Sequence, residues 1–260
     1  MRELFDEVAG KSLLDPQEAA RRNTRAPQRK RFYAEAGVSE VDGGFAITLD
    51  GKPIKTPSGR VVAVPVREIA DAVAAEWAAQ AEIIDPLSMP MTRFANSVIE
   101  AVVDRVSLVR DDMAKYLQSD LLFYRAGHPE ALVARESEHW DPVLFWAANA
   151  FSAHFILAEG IVHVHQPEQA VEAAHAALPQ NPWSVAAAHV VTTLTGSALL
   201  ALALAHGRLD AEAVWAAAHV DEDFNAEQWG QDEEALCRRA VRETDFRAAV
   251  RILRAFAPLG

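Results

Sequence analysis

The chain has 260 residues, half of them apolar, with 25 Lys and Arg against 37 Asp and Glu for a net charge of −12. A chain of this length buries roughly three quarters of its unfolded surface, so its core needs no metal or disulfide. Its one cysteine, Cys237, excludes an internal disulfide framework and a Cys-based zinc site, and the acidic balance argues against nucleic acid as the main partner.

In chain order, Met1 to Glu18 carries Glu3, Asp6, Glu7, Asp15 and Glu18. A transit peptide is Arg-rich and acid-poor, and a secretory signal needs a continuous apolar stretch. Neither fits, and a cytoplasmic protein is expected. Residues 1–30 read as an extension with a short amphipathic turn (Leu4, Phe5, Val8) and a basic connector holding Arg21, Arg22, Arg25, Arg29, Lys30 and Arg31. The connector is either a solvated linker or an arm for an acidic partner.

From 32 to 66 the pattern alternates. Phe45, Ile47 and Leu49 lead into an Asp50-Gly51 turn, Pro57-Ser58-Gly59 makes another, and Val62, Val64 and Val66 follow. This predicts an antiparallel meander, which must pack on something to be stable. Ile69, Val73 and Trp77 recur at helical spacing after Pro65 and supply that cover.

Beyond Met89-Pro90 the chain reads as almost wholly helical. Thr92 is the expected N-cap of a helix carrying Phe94, Val98, Val102, Val106 and Val109. Further helices are expected through Met113 and Leu117, over 129–150, and over 168–178, 183–205, 211–228 and 231–256. Asp210 is an expected N-cap and Gly207 a stop. Between Gln180 and Gly207 there is no charged residue. Ala, Thr and His dilute the stretch, so it reads as a central soluble helix rather than a membrane span. The fold class is therefore α+β, a small antiparallel sheet with a larger, mainly helical domain, divided as 1–30, 31–88 and 89–260.

The residues that carry chemistry are sparse. His163 and His165 share one face if that stretch is a strand, as metal ligands do, but no third ligand completes the pattern. His139, Asp141 and His154 lie on or near one helix, where adjacent residues point apart. Trp140 and Trp77 read as core. Neither a Gly-x-Ser-x-Gly elbow nor a phosphate-cradling glycine loop occurs. Thr195-Gly196-Ser197 reads as a small-residue site of close packing inside a helix. No catalytic residue, metal or cofactor is expected.

The strongest charge feature runs from Asp221 to Glu234, with Asp221, Glu222, Asp223, Glu227, Asp232, Glu233 and Glu234 and no Lys or Arg. Trp229-Gly230 sits within it. Such a run is either a solvated face beside a helix start or a protein-binding surface with an aromatic anchor and charged rim.

An ordered set of segments resembles the assembly chaperones of the F(1) sector of ATP synthase. The set is Arg31-Phe32-Tyr33; Leu49 to Pro57; Glu76-Trp77; Met89 to Thr92; Asp120-Leu121-Leu122 with Tyr124-Arg125-Ala126; Trp140-Asp141-Pro142; Thr195-Gly196-Ser197; and Asp221-Glu222, Trp229-Gly230, Asp232 and Glu234-Ala235. The family commonly has Gln where Asn225 stands and near Glu136. The resemblance is to a bacterial rather than a mitochondrial member. It implies an α+β N-terminal domain, an orthogonal helical bundle and a non-enzymatic role. The implied partner is the unassembled α subunit, bound transiently until β displaces the chaperone. Asp221, Glu222, Trp229, Gly230, Asp232 and Glu234 are the expected partner-binding residues, with no nucleic acid and no stable membrane insertion. The competing reading is an enzyme or ligand-binding protein using His163, His165 or Arg125 at a site between the domains.

Overall fold

A computed structural model describes residues 29–230 and 232–257. The apolar turn at Leu4, Phe5 and Val8 and most of the basic connector lie outside the described residues. The chain divides into two compact units, the described residues up to Arg105 with 254–257 in the first and Val106–Leu253 in the second. Residues 89–105, which the sequence pattern assigns to the helical domain, group with the sheet in this division.

The first unit is built on a hairpin of β1 (Ala36–Val41) and β2 (Gly44–Leu49), with Val41 opposite Gly44 and Ala36 opposite Leu49. β1 is exposed or half-exposed along its length, so it lacks the apolar alternation that marks β2. Asp50 and Gly51 then turn the chain, both at positive φ (48° and 74°), the geometry of the tight hairpin turns that match strand twist. The Asp50 carboxylate also accepts the N–H groups of Ala34 and Glu35. β3 (Lys52–Pro53) and β4 (Ala63–Val64) pair with opposite ends of β2, on the edge that β1 leaves open.

Helix α1 (Arg67–Ala78) covers the sheet with buried Ile69 and Val73. Trp77 is only half-buried, a correction to its expected place in the core. Tyr33 packs edge-on against its ring, 5.7 Å between centroids, and donates its hydroxyl to the Trp77 carbonyl at 2.6 Å. Arg31 donates to the carbonyls of Tyr33, Ala34 and Gln80, tying the incoming strand to the end of α1.

Helix α2 (Pro90–Ser97) starts with Pro at its first position, where the missing N–H costs nothing. Thr92 is inside this helix, not its N-cap; its hydroxyl and N–H bind the Glu76 carboxylate. Nor does one helix run on to Val109. A single π-turn at Val98–Val102 ends the run, and α3 (Val106–Tyr116) begins the second unit.

The second unit continues with β5 (Tyr124–Arg125), α4 (Glu130–Phe151) and β6 (Ala158–Glu159), the two strands pairing in parallel. Then come α5 (Glu168–Ala176), α6 (Pro182–Thr195), α7 (Ala198–Ala205), α8 (Ala211–Ala218), α9 (Val220–Trp229) and α10 (Glu233–Ala255). Trp140 is 1% exposed and donates its indole N–H to the Ala217 carbonyl at 2.7 Å, joining α4 to α8. The Asp210 side chain caps α8 as expected, accepting from Ala213.

The uncharged stretch is two helices, not one. Gly196 adopts φ 71° at the end of α6, and the Ser197 hydroxyl caps α7 by accepting from Leu200. Buried Asp120 reaches the same break, accepting the Leu199 N–H at 3.1 Å and the Leu122 N–H at 3.2 Å. Thr195-Gly196-Ser197 is thus a helix break, not a close-packing site; a Cβ on Gly196 would meet only the Leu121 Cβ, at 3.8 Å. Among the described residues no helix is long and apolar enough to cross a membrane.

Candidate functional site

Residues considered for chemistry lie apart. His163 and His165 are exposed in a loop, with His163 Nδ1 3.3 Å from the Tyr124 hydroxyl. Among the described residues no group of three His, Cys, Asp or Glu could hold a metal ion. Asp141 pairs with Arg125 at 2.6 Å, rather than with either neighbouring histidine. The Arg125 guanidinium also donates to the Leu122 carbonyl and stands over the Trp140 ring. It is held as a strut.

The acidic run separates by direction. Val220 and Phe224 of α9 are buried, which turns Asp221 inward as well. There it lies beside the buried Glu136, and desolvation pushes both carboxyls above the usual range. Glu136 in turn accepts the Ala126 N–H at 2.9 Å. Asp223 takes a forked ion pair from Arg239 of α10, and Glu227 takes another from Arg135 of α4, at 2.8 and 2.9 Å. Asp232 accepts the Glu234 N–H, and Glu234 is paired with Arg238 at 2.7 Å.

Glu222 is different. Its closest basic group is the Nε2 of His219, 3.9 Å away. That imidazole is 1% exposed and its Nδ1 lies 2.7 Å from the Trp215 carbonyl, so Nδ1 carries the proton. Burial pushes the His219 pKa down, so at neutral pH the ring adds no positive charge beside Glu222. Trp229, two turns on, is 87% exposed at the end of α9. Gly230 follows at φ 88°, ψ 168°, a conformation essentially confined to glycine, and turns the chain toward α10.

Between α9 and α10 lies a groove of about 440 Å³. Its apolar wall is Ala226, Trp229 and Leu236; Glu222, Gly230 and Asp232 also line it. Arg238, Arg239 and Arg242 complete it from α10. Four of the six expected partner-binding residues, Glu222, Trp229, Gly230 and Asp232, therefore meet at one place. Asp221 is turned to the interior and Glu234 lies outside the lining. Leu236 and Arg242 were not foreseen, although Leu236, Arg239 and Arg242 follow one another at i+3 spacing on α10. A wall of exposed indole and leucine ringed by charge can grip a protein segment by burial while the charges select its register.

A profile of the ATP12 chaperone protein family matches residues 30–148, ending before this groove. The Atu1473 protein of Agrobacterium tumefaciens has a similar solved structure, with a TM-score of 0.84 and 48% identity, covering 98% of this chain and 96% of that one. Atp12 from Paracoccus denitrificans is similar with a TM-score of 0.81 and 39% identity, covering 87% of this chain and 97% of that one. The mitochondrial protein atp12 of Schizosaccharomyces pombe is 23% identical over 229 residues, 80% of this chain and 76% of its own. Identity of this order across nearly whole chains, on the same fold, shows that this chain belongs to the ATP12 chaperone family.

Proposed function

We propose that the chain is an assembly chaperone of ATP synthase that binds the unassembled α subunit of the F(1) sector, shields its subunit interface and yields it to β. No covalent step is required. An α subunit without its neighbours exposes apolar interface surface that is prone to self-association. A chaperone that must later let go is served by a small apolar anchor with a charged rim, because such contacts exchange readily.

The observation that carries this reading is the exposed Trp229 beside Glu222 and Asp232. Much of the rest of the ordered set holds the fold. Arg31 and Tyr33 tie the strand to α1, Glu76 and Asp120 cap helices, Arg125 braces Asp141, and Trp140 joins α4 to α8. Trp229 has no such task.

Co-expression with the α and β subunits separately, followed by pull-down and a solubility assay, tests it. Selective capture of α, with less α in the insoluble fraction, is the expected result. Capture of neither subunit by folded, monodisperse protein overturns the proposal.

A further inference from the structure

The groove between α9 and α10 is selective in size and sign, and its occupant follows from both. Its volume of about 440 Å³ is near the lower end of ligand-sized clefts. That accommodates one large side chain with its flanking backbone, not a whole helix. The apolar wall of Ala226, Trp229 and Leu236 calls for an aromatic or branched aliphatic group.

Charge narrows the choice. Each of the three arginines at the groove already has an acceptor: Arg239 is forked onto Asp223, Arg238 is on Glu234 and Arg242 donates to the Leu194 carbonyl. An incoming anion would have to share guanidinium groups that already hold Asp223, Glu234 and the Leu194 carbonyl. Glu222 makes no ion pair with an arginine: its charge acts on Arg239 only from a distance, and its nearest basic group is the imidazole of His219, whose Nε2 has no hydrogen-bond partner among the described residues. Asp232 lies 4.0 Å from Arg238 and otherwise accepts a backbone N–H. These two carboxylates can each take a cation, and the Trp229 face offers a third place for one.

We infer that the groove takes a segment of the partner protein that presents one large apolar side chain with a basic side chain on either side. The inference rests on the chaperone reading for the source of that segment, but not for its chemistry. The chain's own apolar pair Leu4 and Phe5 has the wrong flanks in sequence, Glu3, Asp6 and Glu7, and would bring acid to an acidic rim.

The test uses the full chain and three labelled synthetic peptides followed by fluorescence anisotropy. One carries Phe between two Lys, the second replaces both Lys with Glu, and the third replaces Phe with Ala. The Lys-flanked Phe peptide is expected to bind at least tenfold tighter than either other peptide and to weaken with added salt. Its affinity should fall at least tenfold in Trp229→Ala and in Glu222→Gln with Asp232→Asn, and be retained in Trp229→Phe, with thermal melts showing all variants folded.

Equal or tighter binding of the Glu-flanked peptide, binding that survives Trp229→Ala, or no binding of any peptide overturns the inference. A dimer seen by sedimentation that dissociates in Trp229→Ala gives the groove to a second copy and also overturns it. Capture of α by wild type, measured beside these, separates the two readings. Capture without peptide discrimination leaves the chaperone reading standing and removes the occupant; discrimination without capture does the reverse.

Discussion

Glu76 and Thr92 are joined twice: one carboxylate oxygen of Glu76 accepts both the Thr92 N–H, at 2.8 Å, and the Thr92 hydroxyl, at 2.7 Å. The other oxygen accepts the Met91 N–H at 2.6 Å. The end of α1 thereby caps the start of α2, where unpaired N–H groups and the positive end of the helix dipole favour a carboxylate. Glu76→Ala strands those donors and is expected to cost about 2–4 kcal/mol, and Thr92→Val about 1 kcal/mol. Urea unfolding checks both; a cost below about 0.5 kcal/mol for Glu76→Ala would show that water replaces the cap.

Asp120 does the same for α7, from deeper in the protein. Burial pushes its carboxyl up to about 6 from the 3.8 of an exposed group, despite hydrogen bonds from Ser197 and the Leu199 and Leu122 N–H groups that pull it down. The folded state then binds more protons than the unfolded chain between those values. Stability from this group is complete below about 4 and declines as pH rises through about 6, a loss of about 3 kcal/mol. Asn cannot titrate, so the stability gap between wild type and Asp120→Asn should close by about that amount from pH 4 to pH 7. Denaturant melts across that range measure it, and a constant gap removes the linkage.

Trp140 tests how α4 is joined to α8. Trp140→Phe keeps most of the apolar burial but leaves the Ala217 carbonyl without the indole N–H, an expected loss of about 1–3 kcal/mol. Trp140→Ala adds a cavity and should cost about 3–5 kcal/mol. Similar costs for the two variants would mean that the hydrogen bond, not the packing, dominates.

Charge reversal distinguishes the groove from its supports. Glu222→Lys with Asp232→Lys should leave thermal unfolding nearly unchanged, because both side chains are exposed, while α-subunit capture falls at least tenfold. Asp223→Lys instead faces Arg239 and should lower the unfolding temperature, since it replaces a part-buried ion pair by like charges. Equal destabilisation by both variants would make the rim a structural cap and remove it from the binding surface.

Periodicity and turn chemistry located the elements whose causes are local. The α4 pattern was expected over 129–150 and spans Glu130–Phe151; the Asp50-Gly51 turn and the Asp210 cap needed only a few adjacent residues. The stretch from 183 to 205 reads as one helix because no charged residue interrupts it. Its break is made locally by Gly196 and the Ser197 cap and supported by Asp120, far away in sequence, which offers an oxygen to the Leu199 N–H. Likewise Thr92 has the residue type of a cap, but its N–H and hydroxyl are both taken by Glu76, on another helix.

For the candidate site, composition and order alone identified an acidic run with a tryptophan in it. They could not sort its carboxylates, because a charge in a string has no direction. The burial of Val220 and Phe224 sets the rotation of α9, and that rotation sends Asp221 inward to Glu136 while Glu222 stays on the groove. The Gly230 turn then brings Leu236 and the arginines of α10 alongside. Local propensity determined which segments are helices and where the charge lies. Long-range packing and hydrogen bonding decided which carboxylates are paired, and that an exposed indole and two exposed carboxylates share one groove.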